Sequence, residues 1–155
     1  MKIRKATEKD AISVAKVLLE SYNMSSLSEA KEAFLLELRK EHHYVVAEDN
    51  GEIVGVASWT VHDLPKHELA ELNRIAVLGS CRGKGVAQKL FDGLVSEVKA
   101  FYVKTGFKLR KLYLLTHHSN DRAKKFYEKL GFKLETTLKN HYYDKEDEDV
   151  YSIFP

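Results

Sequence analysis

Glu71-Leu72-Asn73-Arg74-Ile75-Ala76-Val77-Leu78-Gly79-Ser80-Cys81-Arg82-Gly83-Lys84-Gly85-Val86-Ala87-Gln88-Lys89-Leu90-Phe91-Asp92-Gly93-Leu94 is the stretch from which the fold is read. An apolar run (Leu72, then Ile75 to Leu78) stops at Gly79-Ser80, and Arg82-Gly83-Lys84-Gly85 follows. Val86, Leu90, Leu94 and Val98 then recur at helical spacing, with Ala87, Phe91 and Phe101 widening the stripe. The pattern predicts strand, tight loop, helix. Glycines at the junction let the backbone approach a ligand closely, and the first N–H groups of a helix lack intrahelical acceptors. With the positive end of the helix dipole, they make an anion site suited to a phosphate or pyrophosphate.

Two familiar phosphate loops do not fit. A Walker loop needs Gly-x4-Gly-Lys-Ser/Thr, but Lys84 is followed by Gly85, and Leu78 stands where the first glycine belongs. A dinucleotide fingerprint counted from Gly83 ends on Gln88 instead of glycine. Arg82-x-x-Gly85-x-Ala87 does fit the pattern Arg/Gln-x-x-Gly-x-Gly/Ala. It resembles the acyl-CoA pyrophosphate loop of the GNAT superfamily of N-acetyltransferases.

Outside this stretch the chain reads as one mixed α/β domain spanning 1–155. At 155 residues, 44% hydrophobic and 31% charged, it is long enough to bury a core and too apolar to be disordered. There is no apolar run of membrane-spanning length, and no signal-peptide core follows Met1-Lys2-Ile3-Arg4-Lys5. The single cysteine, Cys81, rules out an internal disulfide and suits a reducing cytoplasm. The histidines lack metal-ligand spacing, so no metal is expected. A net charge of +2, from 25 basic and 23 acidic residues, makes no electrostatic case for nucleic acid. The acidic run Asp144 to Asp149, broken only by Lys145, reads as a solvated loop.

In chain order, residues 2–6 predict a short strand, and Thr7-Glu8-Lys9-Asp10 a helix start. Helical patterns follow to about Tyr22 and from Ser28 to Lys40, with a loose segment between them that could border a substrate site. Tyr44 to Ala47 and Ile53 to Val61 are strands joined by the hairpin turn Asp49-Asn50-Gly51. A long strand spans about Glu68 to Leu78, and the central helix ends near Gly106. Lys111 to Thr116 is a strand, Ser119-Asn120 starts a helix closed by Gly131, and strands at 132–138 and 149–154 finish the chain.

Asn120-x-x-Ala123-x-x-Phe126-Tyr127-x-x-Leu130-Gly131-Phe132 is a second signature. Helical packing with a glycine cap accounts for Ala123, Phe126, Leu130, Gly131 and Phe132, but requires neither Asn120 nor Tyr127. The stretch resembles the second half of the GNAT fold, at the family's usual separation from the first. Two signatures in order, with the hairpin and paired N-terminal helices, extend the resemblance over essentially the whole chain. It implies a mixed, mostly antiparallel seven-stranded sheet with helices on both faces, and fourth and fifth strands splayed around the pantetheine arm of acetyl-CoA. Backbone groups of Ile75, Ala76 and Val77 would pair with pantetheine. The N–H groups of Arg82, Gly83, Lys84, Gly85, Val86 and Ala87 would hold the pyrophosphate, and Asn120 the CoA arm. Two positions depart from the usual pattern, Gly79 for proline and Cys81 for an aromatic.

The implied activity is direct transfer of an acetyl group from acetyl-CoA to a primary amine in a ternary complex. An amine with a pKa near ~10.4 must lose a proton before it attacks. By resemblance Tyr127 would also lie against CoA and would return a proton to the departing thiolate. Glu71 stands where the histone-acetylating branch carries its basic glutamate. The ribosomal-protein branch places a glutamate where this chain has Leu115, and His117 and His118 are nearby substitutes. Cys81, in the pyrophosphate loop, is too remote from the acetyl group for an acyl-cysteine route. The acceptor is a small amine, an amino-acid derivative or a protein amine. The tail His141-Tyr142-Tyr143 resembles that of protein N-terminal acetyltransferases, but a hairpin with aromatic cross-strand packing explains it more simply, and Leu115 weighs against the peptide reading. A non-catalytic acyl-CoA sensor and a protein-interaction subunit are the readings from other classes. Many relatives dimerise, and a homodimer is compatible with the sequence.

Overall fold

A computed structural model describes every residue, 1–155. The elements are β1 (Lys2–Lys5), α1 (Ala11–Ser21), α2 (Leu27–Arg39), β2 (His43–Asp49), β3 (Glu52–Val61), β4 (Leu69–Val77), α3 (Val86–Thr105), β5 (Lys111–His117), α4 (Asp121–Lys129), β6 (Lys133–Tyr143) and β7 (Glu146–Ile153). The seven strands form one sheet in the order β1-β2-β3-β4-β5-β7-β6. The pairings of β1 with β2, β2 with β3, β5 with β7 and β6 with β7 are antiparallel, and β4 and β5 run parallel. The chain builds two compact units, Met1–Thr60 with Asn73–Ala100 and Val61–Leu72 with Phe101–Pro155. No helix is long and apolar enough to cross a membrane.

In the first unit the period-two alternation of β2 and β3 divides the side chains between two helical layers. Tyr44, Val46 and Val56 pack with Val14 and Leu18 of α1 and Ala30 and Phe34 of α2, and the Phe34 and Tyr44 rings meet edge to face with centroids 4.9 Å apart. The opposite face receives α3. There Trp59 Nε1 donates to Glu97 at 2.8 Å, and Gly55 and Gly93 allow close approach. A Cβ on Gly93 would lie 2.5 Å from Ile3 Cγ2, and one on Gly55 2.8 Å from Leu90 Cδ1 and 3.1 Å from Ala76 O. The helices therefore cover both faces, as the resemblance implies.

Local chemistry sets the element ends. Where a helix was expected from Thr7, a short 3-10 turn (Glu8–Asp10) forms first. Asp10 accepts the Thr7 N–H at 2.8 Å and a two-pronged bond from Arg4. Arg4 is the main cause holding the Asp10 carboxyl below the usual range. Ser26 caps α2 by accepting the Glu29 N–H. Asn50 (φ 50°) and Gly51 (φ 82°) turn the β2–β3 hairpin in the left-handed region that this pair tolerates.

In the second unit β5, β7 and β6 form an antiparallel ribbon with α4 on one side. Tyr151 donates to Glu128 of α4 at 3.1 Å; burial, then that carboxylate, push its phenol up to about 12. Tyr102 near the end of α3 donates to Leu69 O at 2.7 Å. β7 begins earlier than the sequence expectation, because pairing with β6 carries it through Glu146 to Glu148, whose charges suggested a loop, and β6 runs on to Tyr143, which pairs with Glu146.

Gly55→Ala is the sharpest test of this packing, because one of its neighbours is backbone and cannot rotate away. The variant should lose about 1–3 kcal/mol in urea denaturation. An unchanged midpoint would show that α3 does not pack closely on β3.

Candidate active site

The two ends of β4 are out of step. Leu69 O accepts from His62 N, and Leu78 N donates to Val54 O, so both face β3. They lie an odd number of positions apart, whereas regular alternation needs an even number, so one irregularity interrupts the strand. Beyond it Ala76 faces β3, and Ile75 and Val77 turn their backbone groups to the other edge. Side chains meet them there. The Tyr22 hydroxyl accepts from Ile75 N at 3.0 Å and donates to Ile75 O at 3.3 Å, and Arg82 Nε donates to Val77 O at 3.1 Å.

The loop after β4 keeps its backbone open. Gly83 (φ 76°) and Gly85 (φ 77°) adopt left-handed conformations, and a Cβ at either would meet nothing within 4 Å. Lys89 N donates to Gly85 O at 3.2 Å as α3 begins, so the N–H groups of Val86, Ala87 and Gln88 point out of its first turn. Of the N–H groups expected to face an anion, that of Arg82 is instead spent on Gly79 O at 3.3 Å, because a 3-10 turn precedes the loop. Gly79 uses the N–H that a proline would lack, donating to Glu20 of α1 at 2.5 Å.

An ionic network that the sequence did not announce supports this edge. Arg74 donates from Nε and Nη2 to Glu37 of α2, at 2.7 Å for the shortest bond, and its guanidinium lies 4.7 Å from the Tyr22 ring centre. Tyr44 donates to the same Glu37. Burial works against the Arg74 charge, but the Glu37 bonds and charge outweigh it and the guanidinium is held protonated more firmly than usual. Burial and the same carboxylate push the Tyr44 phenol far up, so it remains a donor.

In the second unit Glu71 is oriented by two neighbours. Its Oε2 lies 2.7 Å from His62 Nε2 and accepts from the Tyr113 hydroxyl at 3.2 Å. Burial and the Glu71 charge raise the Tyr113 phenol. Periodicity could have put Glu71 and Tyr113 on one face, but His62 lies beyond any pattern. Ahead of α4 the Asn120 amide oxygen caps the helix by accepting the Ala123 N–H at 3.2 Å. Half-buried Tyr127 lies among Phe126 and Phe132, with ring centres 5.6 and 6.0 Å away.

The sequence matches the family model "Acetyltransferase (GNAT) family" over residues 11–132. The chain belongs to the GNAT acetyltransferase family. A Streptococcus mutans protein shares the fold at a TM-score of 0.81 and 26% identity, covering 99% of both chains. An N-acetyltransferase from Staphylococcus aureus gives 0.74 and 25%, covering 99% of this chain and 97% of the other. An aminoglycoside 6'-N-acetyltransferase complexed with coenzyme A gives 0.75 and 22%, covering 99% and 97%. A comparison with curated proteins finds no match.

The acidic run of this acetyltransferase is not the solvated loop its composition suggests. Only Asp144 and Lys145 turn, and Glu146 to Asp149 belong to β7, with Glu148 and Asp149 2% and 0% exposed. Distant donors meet them. Glu148 pairs with His117 Nδ1; Asp149 accepts from Thr137 at 2.8 Å and lies 3.0 Å from His118 Nδ1 and 3.2 Å from Lys124 Nζ. His117 and His118 are thus held by buried carboxylates at the end of β5. Tyr142 and Tyr143 stand on β6, 62% and 57% exposed.

Burial alone would raise the Asp149 carboxyl, but Thr137, His118 and Lys124 together hold it below the ordinary range. A depressed folded value stabilises above the unfolded value near ~3.9 and fades as pH falls through the folded one. Asp149→Asn should therefore cost about 2 kcal/mol at pH 7, and the gap to wild type should narrow on acidification below about pH 4. Urea denaturation across pH checks this, and a gap constant to pH 2 would contradict the ionic role.

Proposed function

We propose that residues 1–155 form a single acyltransferase domain that moves the acetyl group of acetyl-CoA to a primary amine by direct transfer. The observation that carries this is the outer edge of β4 running into the glycine loop. Backbone groups of Ile75 and Val77 serve the pantetheine arm, whereas Ala76, expected beside them, spends its own on β3; the N–H groups of Gly83 to Ala87 serve the pyrophosphate, that of Arg82 being held by Gly79 O. A diphosphate spreads its charge over several oxygens, which a line of preorganised dipoles matches better than one lysine does. Asn120 Nδ2 serves the CoA arm. The S. aureus N-acetyltransferase and the aminoglycoside enzyme with its bound CoA support the same reading.

The chemistry requires one proton to leave nitrogen and one to reach sulfur. The neutral amine attacks the thioester carbon, a C–N bond forms, and the carbonyl electron pair moves onto oxygen. The adduct nitrogen loses its extra proton to Glu71, which His62 and Tyr113 hold in place. The oxyanion collapses, the C–S bond breaks, and the CoA thiolate takes the Tyr127 proton. The products are the N-acetyl amine and CoA. Acceptors carrying the amine on a small molecule, an amino-acid derivative or a protein all fit this sequence of steps.

The reading is tested by thiol release from acetyl-CoA against polyamines, amino acids, aminoglycosides, arylalkylamines and short peptides. Release with one class is expected. No release, with acetyl-CoA still raising the melting temperature, would favour a sensor. Tyr127→Phe should bind acetyl-CoA while turnover falls at least about tenfold, and unchanged turnover would remove Tyr127 from the mechanism. Glu71→Gln should slow turnover about a hundredfold. Turnover within twofold of wild type in that variant would assign the base elsewhere.

A further inference from the structure

Tyr22 ends α1 as an extended residue (φ −123°, ψ 160°), with its N–H on Leu18 O and its C=O accepting from Met24 N. Its backbone is thus pinned on both sides, and Arg74, itself fixed by Glu37, covers its ring. The hydroxyl of so firmly placed a side chain reaches both backbone groups of Ile75. A hydroxyl that accepts from a strand N–H and donates to the same residue's C=O fills the place of a neighbouring strand's peptide. At Ile75 that place belongs to the acyl-pantetheine in the function proposed above, on which this inference rests. The hydroxyl oxygen therefore marks where a ligand oxygen accepts from Ile75 N–H.

We propose that Tyr22 is a catalytic residue whose hydroxyl, together with the Ile75 N–H, donates to the thioester carbonyl oxygen and to the oxyanion formed from it. The carbonyl oxygen replaces the Tyr22 oxygen as acceptor of the Ile75 N–H. The hydroxyl gives up Ile75 O, the longer of its two bonds, and donates to the arriving oxygen instead. Ile75 O is released to the pantetheine arm, so one neutral hydrogen bond replaces another. As the amine adds, charge moves onto this oxygen, and two preorganised donors strengthen as it does. Burial first, and the Glu37 charge in addition, hold the phenol up, so it keeps its proton and remains a donor. The Arg74 cation at 4.7 Å favours negative charge developing beside the ring. Tyr22 transfers no proton in this role, so the balance of bonds and protons above is unchanged.

A tyrosine that only closes the edge of β4 would affect stability and leave the transition state alone, and Tyr22→Phe separates the two roles. The phenylalanine keeps the ring under Arg74 and removes only the hydroxyl; thermal melting checks its fold. Turnover with the best acceptor of the panel should fall about a hundredfold, as expected for loss of one oxyanion donor. The Kd for acetyl-CoA, read by calorimetry, should stay within a few-fold or tighten, because nothing then competes for Ile75 N–H. The infrared carbonyl band of bound [1-13C]acetyl-CoA should move to higher wavenumber than in wild type. Turnover within twofold of wild type, or an unmoved carbonyl band, overturns the proposal while leaving the acetyltransferase reading intact. Failure of the wild-type protein to bind acetyl-CoA overturns both.

Discussion

A single interruption of the alternation in β4 governs the rest of the molecule's design. A regular strand between Leu69 and Leu78 would turn Ile75 and Val77 toward β3. The interruption turns them outward, where buried backbone groups need partners. Tyr22 and Arg82 supply those partners. An edge held by side chains is easier to open to a ligand than one held by a strand, because a side chain exchanges a hydrogen bond without disturbing the sheet.

Ionic groups tie helices to strands within each unit. Glu37 joins α2 to Arg74 of β4 and to Tyr44 of β2, and Asp149 joins β7 to Lys124 of α4, His118 and Thr137. Each cluster places several donors around one carboxylate, which is the condition under which a buried charge is tolerated. Each also fixes an element that carries a proposed functional group, α1–α2 with Tyr22 in one case and α4 with Asn120 and Tyr127 in the other. Stability and positioning are therefore coupled at both places.

Much of this was legible in the sequence. Periodicity and turn chemistry placed every helix and strand within a few residues, since apolar spacing, Asn50-Gly51, Gly106 and Gly131 act locally. The glycine loop at the start of α3 was readable for the same reason, because left-handed residues announce themselves by type. The acidic stretch was misread because charge density suggests solvent unless its partners are known. Those partners, His117, His118, Lys124 and Thr137, are spread over β5, the turn after it, α4 and β6.

By itself the sequence determined the order of elements, the phosphate-type loop and the two signatures that identify the family, all properties of neighbours along the chain. Only the tertiary structure decided which side chains complete them: His62 and Tyr113 on Glu71, and Glu37 beneath Arg74. It likewise set Tyr22 on Ile75, and buried Glu148 and Asp149 beneath two histidines. The physical reason is that hydrogen bonds and ion pairs act over about 3 Å in space and carry no periodic trace in sequence. Partners fifty residues apart become visible only when the sheet brings their strands together.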